Sequence, residues 1–118
     1  IEWWYKNGDQ GKANFAIGYT NSDGVKALFY VDYIIRMRNG DIFLFDTKTE
    51  SSDTEAPYKH NALWEYMQLP ENKEKRLHGG IIIPDPHGNW VYSPAPLDLE
   101  LGTSDITNWD IFDPQQYI

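Results

Sequence analysis

Short apolar runs alternate with turn signals along most of the chain, and one stretch alone carries helical spacing. Aromatic residues crowd "EWWYKN", and "NFAIGYT" alternates before the turn "NSDG", so both predict strands. "VKALFYVDYIIRM" predicts one long strand. After the turn-forming "RNG", the apolar run Ile42–Phe45 in "DIFLFDTKTE" predicts a buried strand. In "DTEAPYKHNALWEYMQLP", Ala62, Leu63, Tyr66 and Met67 share a helical face. Thr54 or Asp53 can cap that helix, Pro57 suits its first turn, and Pro70 stops it. "ENKEKR" reads as a solvated connection, and "LHGGIIIPD" and "NWVYSP" as two strands around "PDPHGN". The acidic, aromatic tail from Leu97 has no firm placement. The expected order is β-β-β-β-α-β-β, an α+β domain on a mainly antiparallel or mixed central sheet with few flanking helices. One domain should span residues 1–118, as a piece of a longer polypeptide.

The pairing of the two strands around "MRNGD" decides where the charges Asp32, Asp46 and Lys48 point. A two-residue Asn39-Gly40 turn makes paired positions sum to 79 and sets Asp46 against Tyr33. A three-residue loop, with Gly40 as the left-handed residue of a bulge, makes them sum to 78. Because a one-residue slip exchanges the faces, the hydrophobic pattern discriminates between the two. At 78, Val31, Tyr33, Ile35 and Met37 join Phe43, Phe45 and Thr47 on one coherent apolar face. Ile34, Leu44, Asp32 and Asp46 take the other, with Lys48 one step further along. The bulged hairpin separates apolar from charged positions more cleanly and is the expected register.

Two carboxylates set opposite each other in a sheet lie roughly 5 Å apart between Cβ atoms. They repel unless a positive charge sits between them. A hard divalent cation, Mg²⁺ with Mn²⁺ as substitute, suits such an oxygen site, and a neighbouring ammonium such as Lys48 can orient a water or stabilise developing negative charge. The competing reading is a solvated ion pair at a strand end, worth well under ~1 kcal/mol.

Composition narrows the partners. The chain carries a net charge of −8, yet residues 1–48 hold six acids and six bases, so the imbalance lies wholly in the second part. No Lys or Arg follows Arg76. That surface repels polyanions, so a nucleic-acid function needs a DNA grip supplied from elsewhere. Cysteine is absent, which excludes disulfides and thiolate metal sites and fits a cytoplasmic origin. No apolar stretch is long enough to span a membrane.

"FYVD" followed across a hairpin by "FDTK" resembles the active-site signature of the PD-(D/E)XK nuclease superfamily. "EWWYKNG", "FAIGYT", "ALFYVDYIIRMRNGDIFLFDTKT" and "KHNALWEYM" together resemble the C-terminal endonuclease domain of type III restriction enzyme Res subunits and related helicase–nucleases, over roughly residues 2–68. The resemblance implies a restriction-endonuclease-like core, a central hairpin flanked by helices. It also implies Mg²⁺-dependent phosphodiester hydrolysis, with Asp32, Asp46 and the Thr47 carbonyl as metal ligands and Lys48 assisting the attacking water. Lys59 would sit near the scissile phosphate, or be a surface lysine. The implied partners are DNA delivered by an attached helicase domain and a modification subunit. Val31 departs from the proline of the signature. Many members carry a glutamate on a helix before the first strand, and this chain starts too late to show that helix; Glu2, its only early acid, precedes the expected strand "WWYKN".

His60, His78 and His87 share no metal-ligand spacing and read as surface or turn residues. The "HGG" and "HGN" triplets read as turn or bulge signals. Trp3, Trp4 and Tyr5 either stack on bases or pack in the core. From another function class, five Trp and eight Tyr on an acidic sheet domain would suit a non-catalytic binding module. A decayed nuclease kept for assembly is a further alternative.

Overall fold

The structure is a computed structural model describing residues 3–6, 15–47 and 54–113. Gly40 stands at φ +98°, and the Met37 N–H donates to the Asp41 carbonyl at 2.8 Å while the Gly40 N–H donates to that of Met37. This is the bulged loop, and it joins β4 (Tyr33–Arg36) to β5 (Ile42–Thr47) with Tyr33 opposite Phe45 and Ile34 opposite Leu44. Paired positions sum to 78, as the hydrophobic pattern predicts.

Around this hairpin, β1 (Trp3–Lys6) pairs antiparallel with β4. On the other side β6 (Leu77–Pro84) runs parallel to β5, followed by antiparallel β7 (Trp90–Tyr92) and β8 (Asp110–Ile111). The sheet order is β1-β4-β5-β6-β7-β8. Parallel neighbours need a crossover connection. Here it is α1 (Ala56–Gln68), with Pro57 in its first turn, followed by α2 (Pro70–Lys73). Pro70 ends the first helix and opens the second, since its missing N–H costs nothing at a helix start. The expected solvated connection therefore begins with a helical turn. The architecture is α+β, a mixed sheet with few helices.

The long expected strand over residues 25–37 is broken. Its first part, β3 (Lys26–Phe29), pairs with β2 (Ile17–Thr20) in a separate two-stranded sheet. Its second part is β4. The break at Tyr30–Asp32 has a packing cause: fully buried Val31 joins Ile17, Phe29, Ile34, Leu44, Leu63 and Met67. Continued alternation would have aimed Val31 at the opposite face, with Tyr33. Leaving the ladder lets this β-branched side chain tie both sheets to α1.

α1 covers the face of Ile34, Leu44 and Ile81. The other face carries Met37, Phe43, Phe45, Ile82 and Tyr92, with Ile35 and Phe112 packed against them. The hairpin thus has two ends: a tip at residues 38–40 and a mouth where Asp32, Asp46 and Thr47 lie.

Candidate metal centre

At the mouth, the ladder stops at Tyr33–Phe45, so Asp32 precedes β4 rather than occupying a paired position. Its carboxylate instead closes the ribbon. Asp32 Oδ2 accepts the Thr47 N–H at 2.9 Å and the Thr47 hydroxyl at 2.7 Å. Extrapolated pairing would have offered that N–H a carbonyl from residue 31, which the break takes away. The carboxylate fills the vacancy, since a buried donor without an acceptor is costly. Among the described residues, no hydrogen bond goes to Asp32 Oδ1.

Asp46 is 5% exposed and lies beside Ile81 in the parallel ladder. Strand alternation sets it on the Leu44 face, toward α1. Asp32 reaches the residue next to it, so both acids lie at the same end of the hairpin, Asp46 on the α1 face and Asp32 bonded to Thr47, whose side chain lines the opposite face. Lys48 lies outside the described residues, as do Glu2 and Asp53. Lys59 is half-buried on α1, where its N–H donates to the Glu55 carbonyl. Among the described residues there is no group of three or more His, Asp or Glu able to hold a metal. A two-carboxylate centre has only two such members, and its oxygen donors fit Mg²⁺, which needs one or two carboxylates and keeps several waters.

His60 supports this end from behind, and its burial corrects the surface or turn placement. It is 1% exposed. Its Nδ1 accepts the Ile81 N–H at 3.1 Å, so Nε2 carries the proton and donates to the Ala95 carbonyl at 2.9 Å. The Trp109 ring stacks at 6.5 Å. Burial pushes the imidazole below its ordinary pKa of 6.5, partly offset by the Ala95 bond. A histidine at helical spacing with Ala56, Leu63 and Met67 was the available signal. The "HGG" triplet, expected as a turn or bulge, instead pairs residue for residue with β5 inside β6, where Gly80 takes φ +136° and leaves room for the imidazole.

The tip is built differently. Buried Asp41 accepts Arg76 Nε at 2.7 Å and Asn39 Nδ2 at 3.1 Å, and His78 Nε2 lies 3.4 Å away. Arg76 Nη1 also donates to the Asn39 carbonyl. This acid already has its cation.

The face away from α1 holds a groove of about 480 Å³ bounded by Trp4, Tyr33, Phe45, Trp90 and Phe112. Trp4 is 59% and Trp90 42% exposed. Thr47 lines its edge, next to Asp32. Trp3 and Tyr5 lie on β1, and their side chains lie outside the description. From Leu77 onward the acidic character persists: backbone N–H groups of Leu101 and Glu100 hold Asp98 below its ordinary pKa. The Thr107 hydroxyl and N–H do the same for Asp105. Among the described residues, no helix is long and apolar enough to cross a membrane.

Comparison of the chain with protein-family models, curated proteins and solved structures finds no match.

Proposed function

We propose that the chain is a Mg²⁺-dependent DNA endonuclease domain of a type III restriction-like helicase–nuclease, hydrolysing phosphodiester bonds. The supporting observation is the bulged hairpin with paired positions summing to 78, which brings Asp32 and Asp46 to one end. The order hairpin, helix, parallel strand supports a restriction-endonuclease-like core around them. Asp32, Asp46 and the Thr47 carbonyl would hold the cation, for which Mn²⁺ substitutes. When bound, Mg²⁺ supplies electrostatic stabilisation of the charge that builds on the phosphate. Lys48 would orient the attacking water, and Lys59 would meet the phosphate flanking the cut. The net charge of −8 gives this domain little grip on DNA. An attached helicase domain would therefore deliver the substrate in the cytoplasm, with a modification subunit as a further partner.

The test is thermal denaturation with and without Mn²⁺. A cation at one hundred times its Kd stabilises by about 2.7 kcal/mol. Wild-type chain should gain several degrees, and Asp46→Ala should lose that gain. A flat wild-type response contradicts the proposal. It would favour a second reading, a non-catalytic binding module, which the exposed Trp4 and Trp90 on the open face support. A metal-responsive chain that cuts no DNA even when joined to its helicase would be a decayed nuclease.

A further inference from the structure

We infer that the Thr47 side chain is a positioning residue for the metal centre, holding one oxygen of Asp32 so that the other faces the cation. This rests on the nuclease reading and deepens it. A carboxylate on a single methylene can rotate, and a rotating ligand loses affinity because its ordering must be supplied on binding. Here both donors of Thr47 converge on Asp32 Oδ2, the N–H at 2.9 Å and the hydroxyl at 2.7 Å. The N–H is fixed by β5, and the hydroxyl sits on a β-branched side chain with restricted χ1. Together they fix the carboxylate plane. Oδ2 is engaged twice, and among the described residues Oδ1 takes no hydrogen bond, so Oδ1 is the oxygen presented for coordination. The hydroxyl role is separate from that of the Thr47 carbonyl, because substitution of the side chain leaves the carbonyl in place.

Mn²⁺ titration of the 118-residue chain, read by thermal denaturation, tests this. Loss of a group that orients a metal ligand typically weakens metal binding 10–100-fold. Thr47→Val, which keeps shape but not the hydroxyl, should raise the Mn²⁺ midpoint at least about ten-fold. Thr47→Ser, which restores the donor, should return the midpoint to near the wild-type value. A purely structural hydroxyl would lower the melting temperature without metal and leave the midpoint unchanged. That outcome overturns the inference while the nuclease reading stands, whereas a wild-type chain blind to Mn²⁺ overturns both. Should Thr47→Val not fold, carboxyl-carbon NMR of the wild type keeps the question answerable. Mg²⁺ should move the Asp32 resonance, and an unmoved Asp32 beside a shifted Asp46 overturns the inference.

Discussion

The two ends of the β4–β5 hairpin treat Asp41 and Asp32 in opposite ways. At the tip, Asp41 is met by Arg76, with Asn39 and His78 close by. At the mouth, Asp32 is met by neutral donors of Thr47, and the neutral His60 holds the neighbouring strand. A carboxylate with its own cation is architecture. One held by neutral groups, with an oxygen to spare, is placed to receive a cation from outside.

Gly80→Ala should have the largest effect, because it strikes the support of the mouth. A Cβ there would fall 2.4 Å from His60 ring atoms, at a φ of +136° that side chains rarely adopt. Two hydrogen bonds stop the ring from yielding, so a loss of about 3 kcal/mol or more is expected in denaturant unfolding. Asp41→Ala comes next, at about 1–2 kcal/mol, because Arg76 is 54% exposed and solvent screens part of the pair. That cost should be the same with and without Mn²⁺. Asp32→Asn should cost less than about 1 kcal/mol without metal, since an amide oxygen still accepts from Thr47, but should remove the Mn²⁺ gain. Equal metal responses from the tip and mouth variants would dissolve the distinction between the ends.

A smaller, graded effect separates the ends by pH. His60 titrates below 6.5 when folded and near 6.5 when unfolded, so the unfolded chain binds more protons in that window. Its contribution to stability is complete above pH 6.5 and erodes as pH falls toward the folded pKa. His60→Gln should flatten that part of the stability profile, measured by urea unfolding between about pH 7 and 5.

What the sequence predicts well here is local or periodic. Gly40 after Arg38-Asn39, tested against alternating faces, predicts the register that the hairpin adopts. The helix is readable from Pro57 to Pro70, but Thr54 does not cap it: Glu55 takes the N-cap position without a side-chain hydrogen bond. The break at Tyr30–Asp32 is not, because the run from Val25 to Met37 contains no Gly or Pro, and its single turn-prone residue, Asp32, reads as a strand-end charge. Only the demand for a buried side chain between two sheets pulls Val31 out of the ladder. The same break turns Asp32 toward Thr47, so the hydroxyl contact has no simple pairing rule behind it. His60 escapes recognition because its partners, Ile81 and Ala95, are backbone groups far along the chain. The aromatic tail from Leu97 supplies Trp109 and Phe112 to opposite faces through contacts that no local pattern encodes.

The most direct measurement is an anomalous-difference map from a crystal of the chain soaked in Mn²⁺. The account predicts a peak at the mouth of the hairpin, about 2.2 Å from Asp32 Oδ1 and from a carboxyl oxygen of Asp46. A peak at Asp41, or none beside either mouth carboxylate, would contradict it.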